Sequence, residues 1–383
     1  MKIIDIIFSK CPPIRYLVKS LRGKAIVYNY YNTKYDKNCL FMYVLEPFLR
    51  NEIDESHQLF WQELQITKLL SDKGYNIDII DYDNKYVHLV KKYDLIFDLI
   101  PGRNMVYMNH MTQRCIRIAY LTGSNATFQN KAEKQRIEAI ARRRGKKLKT
   151  RRQSPYITNI IEEYNACLMI GNRYNWRTYS EFNLSTPFFI KNNGHYQKYN
   201  FNKLKKKSNA FLYFGSVGSV HKGLDLLLEI FSEKNFPAEL YVCGTFDKER
   251  DFVKCYYKEL YECDNIHPVG FVKINSDKFR DLTEICTYSI LPSCSEANAG
   301  TILSTMSAGL ISICSYECGF EDDEVIHLKN CDIATIREVV LYYSKKDYGW
   351  IKEKSKASYD IVQQRYSKEN FVDSIKNAFD VIL

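Results

Sequence analysis

The 12 cysteines, running from Cys11 to Cys331, include no CxxC pair, and no histidine stands beside them at zinc-finger spacing. A zinc ribbon or finger is therefore not expected, and the cysteines read as free, mostly buried thiols of a reducing compartment. No apolar run approaches the ~20 residues of a spanning helix. The opening stretch, MKIIDIIFSKCPP, lacks the apolar core and small-residue cleavage site of a secretory leader. The expectation is a cytoplasmic protein, peripheral at most on the inner face of the plasma membrane. Neither GxxxxGK[ST] nor GxGxxG occurs, so a P-loop and the usual dinucleotide fingerprint are excluded. RNP-type aromatic motifs, KH-type loops and internal repeats are missing too, which argues against a nucleic-acid partner and against a solenoid.

What the chain does have is length: 383 residues, 45% of them hydrophobic. That exceeds one ordinary core and suits two α/β domains of about 150–200 residues each. Apolar, β-rich runs alternate with helical ones, the pattern of parallel sheets. In the first half, 39–48, 76–82, 93–100, 116–123, 166–172 and 187–192 read as strands. A helix over 57–71 has Leu59, Ile66, Leu69 and Leu70 on one face. Residues 1–38 carry one or two further strands and a helix. Residues 192–209 are polar and rich in Asn and Lys, as a linker would be. The second half restarts with strands at 210–216, 238–244, 267–272, 288–293 and 310–316 and helices at 224–231 and 301–309. A last helix, 369–383, shows Phe371, Ile375, Ala378, Phe379 and Ile382 on one face. The domains are expected at 1–195 and 196–365, with residues 366–383 crossing back onto the first.

The net charge of +10 is concentrated between Lys131 and Arg152, where 11 basic residues face two acidic ones, Glu133 and Glu138. A solvated helix and loop is one reading. Contact with an anionic membrane surface, at ~1 kcal/mol per basic residue near the headgroups, is the other.

Two stretches carry chemistry. GSVGSVHKGLDLLLEIF, Gly215 to Phe231, runs from a strand through a glycine loop and Lys222 into a helix. This arrangement aims a cation and helix amides at a phosphate, and Gly223 lets the backbone come close. LPSCSEANAGTILSTMSAGLISI, Leu291 to Ile313, places Glu296 and then small residues at the start of a helix. The helix start offers amides to a phosphate, whereas an ionised carboxylate beside a phosphate is favourable only if it accepts from other donors, such as sugar hydroxyls. Asp81, Tyr82 and Asp83 form a DxD of the kind that holds divalent metals, but it falls at a strand end and reads better as a turn.

In order and spacing, Gly215, Lys222, Gly223, Pro292, Ser293, Glu296, Gly300, Met306, Ala308 and Gly309 resemble the signature of retaining group 1 (family 4) glycosyltransferases. The likeness is clear over about residues 210–316. It implies the GT-B fold: α/β, two Rossmann-like domains facing each other across a cleft. It also implies a nucleotide-sugar donor held on the second domain without metal or other cofactor, and a saccharide or lipid-linked acceptor on the first. By this resemblance Lys222 holds the donor diphosphate, and Glu296 binds hydroxyls of a hexose-type sugar and supports charge at its anomeric carbon. Ala299, Gly300 and Thr301, with Asn298 beside them, take the distal phosphate, and Gly270 to Val272 line the base pocket. Two positions depart from the pattern: Ser216 stands where an arginine is usual, and Ser304 where the motif's second glutamate is usual. They motivate an alternative, a non-catalytic nucleotide- or sugar-binding protein on the same scaffold. On the acceptor side, Thr122, Gly123, Ser124 and Asn125 follow a central strand and could line the cleft with polar groups, and His57 begins a helix.

Overall fold

The computed structural model describes residues 25–50, 58–194, 206–274 and 276–383. The sequence-expected elements at the very start of the chain lie outside this set, apart from β1 (Ile26–Val27), as does His57.

The first domain is a seven-stranded sheet. Its strands are β1, β2 (Lys37–Tyr43), β3 (Tyr75–Asp81), β4 (Tyr93–Asp98), β5 (Met111–Leu121), β6 (Ala166–Ile170) and β7 (Phe188–Ile190), in the order β1-β3-β2-β4-β5-β6-β7. Every neighbouring pair is parallel except β1 with β3. β3 and β6 are buried along their whole length, which is why they read as unbroken apolar runs rather than alternating ones. The strand expected over 39–48 ends at Tyr43: the Leu45 amide turns to the Asp81 carboxylate, and Glu46–Leu49 is a 3-10 turn with Pro47 in its first turn. Helix α1 (Gln58–Asp72) buries Gln62, Glu63, Ile66, Thr67 and Leu70, while Leu59, expected inside, is exposed. Asp81 ends β3 and accepts a hydrogen bond from the Leu45 amide at 2.9 Å, so the DxD is a strand-end turn.

The second domain is a six-stranded, wholly parallel sheet of β8 (Lys207–Phe214), β9 (Glu239–Cys243), β10 (Ile266–Gly270), β11 (Cys286–Leu291), β12 (Ile311–Ser315) and β13 (Ile326–Leu328). Its order, β10-β9-β8-β11-β12-β13, is the doubly wound one, with its switch point between β8 and β11. In such sheets ligands bind outside the carboxyl ends of the strands at that point.

The helices after α1 are α2 (Ala126–Arg144), α3 (Arg173–Trp176), α4 (Leu224–Phe231), α5 (Arg250–Cys255), α6 (Tyr257–Tyr261), α7 (Asp277–Ile285), α8 (Gly300–Ser307), α9 (Ile333–Tyr343), α10 (Tyr348–Arg365) and α11 (Lys368–Ile382). Each domain lends an element to the other's core. Phe371, Ile375, Ala378 and Phe379 of α11 join the core of the first domain. Ile137 and Ile140 of α2, with Leu148 beyond it, join the core of the second. α2 begins on the cap of Asn125, which accepts from the Thr127 amide, and stops at Gly145 in the left-handed conformation. The basic stretch is thus a strap laid across the second domain. Arg143 pairs with Asp225 at 2.8 Å and Glu229 at 3.0 Å, Arg144 with Glu229 and Glu259, and Arg151 with Asp251. No helix among the described residues is long and apolar enough to cross a membrane.

Candidate active site

The loops after β8 and β11 meet at the switch point of the second sheet. They touch because residue 223 is glycine: φ is 76°, and a Cβ there would run into the Pro292 carbonyl. At the junction Lys222 Nζ donates to Glu296 Oε1, with side chains only 4% and 13% exposed. Ser293 Oγ donates to the same oxygen at 3.2 Å. Burial alone would raise the Glu296 carboxyl, but Lys222, Arg152 and His221 outweigh it and hold it down at about 2. Glu296 is therefore a permanent anion at neutral pH. His221 beneath it is fully buried, and burial, helped by Lys222 and Arg152, lowers its imidazole to about 4. Its Nε2 lies 2.7 Å from the Ser295 carbonyl, which places the proton of the neutral ring on Nε2.

The two loops differ in their amides. In the first, Gly218 and Ser219 both donate to the buried Glu249 carboxylate, at 2.7 and 3.1 Å. The Lys222, Gly223 and Leu224 amides bond to carbonyls of the loop itself. Of the amides this loop was expected to offer a phosphate, these five are taken, and the Lys222 side chain reaches the junction. In the second, Ala299 donates to the Cys318 carbonyl at 3.1 Å. The amides of Gly300 and Thr301, the first two residues of α8, make no hydrogen bond among the described residues. They are free donors at the start of the helix.

The remaining donor-side residues are placed as follows. Gly215 follows β8 directly, and Ser216 is exposed at the loop's mouth. Asn298 is buried at φ 28°, with its carbonyl taken by Asn192 at 2.8 Å and its own amide group given to Gly319. Ser304 is buried and donates to the Gly300 carbonyl at 2.7 Å, within its own helix. Val272 packs into a small core cluster with Leu212 and Cys243, while Phe271 beside it is 71% exposed.

The first domain closes the other side. A cavity of about 400 Å³ opens between the carboxyl ends of β3, β4 and β5 and the Glu296 loop. Thr122, Gly123 and Ser124 line it opposite Glu296, with Arg152 and Ser154 at one side. Asn125 does not reach it, because its side chain caps α2 and donates to Glu181 at 2.8 Å. The Glu296 loop is gripped from across the interface. Its carbonyl at 296 accepts from Ser124 Oγ at 3.0 Å and Asn175 Nδ2 at 3.1 Å, and Asn175 also reaches the Glu317 carbonyl at 3.0 Å. Ser124 was expected to line the cleft, and it does; Asn175 and Arg152 were not singled out from the sequence. Only Arg152 left a signal there, as one basic residue among many.

Two parallel-sheet Rossmann-like domains joined across such a cleft define the GT-B architecture. Residues 197–334, just over a third of the chain, match the model of the family described as glycosyl transferases group 1. Solved structures match in fold. Sucrose-phosphate synthase from Thermosynechococcus elongatus superposes with a TM-score of 0.60 at 10% identity, over 90% of this chain and 99% of that one. HepE from Anabaena, solved with UDP-glucose, gives 0.56 at 10% identity, over 90% and 99%. TarM from S. aureus gives 0.52 at 11% identity over 83% of this chain, which spans only 58% of TarM's length. No curated protein matches the sequence.

Proposed function

We propose that this chain is a glycosyltransferase that moves a hexose-type sugar from a nucleotide-sugar donor to a saccharide or lipid-linked acceptor of surface-glycan assembly, with retention and without a metal. The observation that carries the reading is the buried Lys222–Glu296 pair beside the free amides of Gly300 and Thr301, at the switch point of a doubly wound sheet. The group 1 match over this domain supports it. Lys222 and the two amides hold the donor diphosphate as the bond from the anomeric carbon to its phosphate oxygen breaks. Glu296, ionised throughout, accepts from sugar hydroxyls and stabilises the positive charge that grows at that carbon. The acceptor hydroxyl enters from the cavity beside Thr122 and Gly123 on the same face, bonds to the anomeric carbon and passes its proton to the departing diphosphate oxygen. The exposed basic residues of the strap that carry no ion pair across the domains, Lys131, Lys134, Arg142, Lys146, Lys147 and Lys149, are proposed to face an anionic membrane surface. Unchanged sedimentation with anionic vesicles after their neutralisation would remove that part.

A second reading, nucleotide or sugar binding without turnover, is favoured by Ser304, whose hydroxyl is engaged with its own helix. Release of nucleoside diphosphate from a panel of nucleotide sugars, each with simple glycosides as acceptors, separates the two. Turnover that disappears in Glu296→Gln supports transfer. Saturable binding with no release supports the second reading. The anomeric configuration of any product, read by NMR, tests retention.

A further inference from the structure

We infer that Arg152, carried by the first domain, is a second diphosphate-binding cation of the donor site, reaching it through the strap. The inference rests on the donor-site reading above and follows from a count of charge. A sugar-nucleotide diphosphate carries a negative charge on each phosphate. The positive charge of Lys222 is already matched by Glu296 in direct contact. The Gly218 and Ser219 amides are closed off by Glu249. Lys222 and two amides of α8 leave the diphosphate short of positive charge, and burying an uncompensated anion is costly.

Arg152 lines the cavity with Glu296 and is in position to supply it. Its Cγ lies 2.5 Å from where a Cβ on Gly218 would stand, so the side chain crosses the glycine loop at the one residue that leaves room for it. Its positive field reaches both Glu296 and His221. Three other arginines of the strap, Arg143, Arg144 and Arg151, pair with acidic residues of the second domain, while Arg136 lies behind the loop against Gly223, its Nη1 also buried without a partner. Arg152 has no ion-pair partner among the described residues, and its Nε is buried without an acceptor. A buried guanidinium nitrogen left unpaired is expensive unless an anion arrives to take it.

The backbone that carries Arg152 is held in place by three buried side chains of α2. Glu133, 1% exposed, accepts from the Arg151 amide at 2.7 Å and the Arg152 amide at 3.0 Å. Gln129 donates to the Arg152 carbonyl at 2.6 Å. Asn130 exchanges hydrogen bonds with the Ser154 backbone at 2.8 and 2.9 Å. On the far side Asp251 holds the Lys149 amide at 2.9 Å. Polar side chains buried to fix one loop conformation are what a precisely positioned cation requires. The donor site is then completed by both domains, and a change in their relative position would change its affinity for phosphate.

The test is calorimetric titration of the full chain with UDP, ADP and GDP, and with the corresponding nucleosides. Variants are Arg152→Gln, Arg152→Lys, Lys222→Ala, the exposed control Arg142→Gln, and Ser216→Arg added to Arg152→Gln. A charged hydrogen bond to phosphate corresponds to a roughly tenfold to hundredfold change in Kd. The expected result is that loss for the preferred nucleoside diphosphate in Arg152→Gln, no loss for its nucleoside, partial retention in Arg152→Lys, and no change in Arg142→Gln. Ser216→Arg, which puts a guanidinium on the exposed mouth of the same loop, is expected to recover part of the affinity. Melting curves of each variant separate lost affinity from lost folding, and Arg152→Lys carries the test if Arg152→Gln does not fold. A Kd for nucleoside diphosphate unchanged in Arg152→Gln, while Lys222→Ala loses it, overturns the inference and leaves the donor site standing. No binding of any nucleoside diphosphate to the native chain overturns both.

Discussion

The loops after β8 and β11 share a design, strand to glycine-containing loop to helix, yet they deliver different things to the site. The first is largely closed on itself: Glu249 takes the Gly218 and Ser219 amides, the loop's own carbonyls take those of Lys222, Gly223 and Leu224, and the Lys222 side chain reaches the junction. The second leaves the Gly300 and Thr301 amides open and is held from across the interface by Ser124 and Asn175 through the Glu296 carbonyl. A glycine-rich strand-to-helix turn therefore does not by itself say that amides will face a ligand. That depends on whether a distant carboxylate has reached them first.

The largest expected effect falls where the loops meet. Glu296→Ala strands the Lys222 ammonium at 4% exposure. It should cost ~3–5 kcal/mol in urea unfolding and at least ~10²-fold in transfer; Glu296→Gln should lose the transfer with less of the stability. Next comes the closure of the first loop. Glu249→Ala leaves the Gly218 and Ser219 amides without their acceptor, at ~1–3 kcal/mol for each amide that water does not reach. If stability is unchanged, the first loop is not self-closed and the contrast fails.

The third effect is on pH. Burial holds His221 at about 4, below its ordinary value of 6.5, so the unfolded chain binds a proton that the folded one refuses. Stability should therefore fall as pH drops below about 6.5 and level off near 4, with a slope approaching ~1.4 kcal/mol per pH unit. His221→Gln should flatten that window. Glu296 acts lower: its carboxyl is held at about 2 against an ordinary 4.5, so its contribution is lost as pH falls from 4.5 toward 2. Denaturant midpoints across pH 2–8 check both. The smallest effect is at Asn125, where the side chain caps α2 and does not reach the cavity. Asn125→Ala should cost ~1 kcal/mol of stability with little change in acceptor KM.

The fold class and most strands were legible because parallel strands buried on both faces leave unbroken apolar runs, as in β3, β6, β11 and β12. Helix α10 was not. Its inward face carries Ser355 and Ser358, whose hydroxyls are given to the Gly309 and Leu310 carbonyls, so its apolar period is broken. The motif residues Lys222 and Glu296 stood out by spacing, and the structure brings them into contact. The strap was visible only as charge. Ile137, Ile140 and Leu148 inside the basic run were the available sign that it packs against a core. Glu249 left no sign at all, because its role depends on a contact with Gly218 31 residues away.

The most direct test is a thermal-shift screen of nucleotides and nucleotide sugars against the native chain and Lys222→Ala. A ligand at a hundredfold excess over its Kd adds about 2.7 kcal/mol to the folded state, which is readily seen in the melting temperature. The account predicts a clear shift with nucleotides of one base, largely lost in Lys222→Ala. An equal shift in both proteins would place the nucleotide elsewhere, and no shift with any of them would contradict a nucleotide-sugar site at the junction of the two loops.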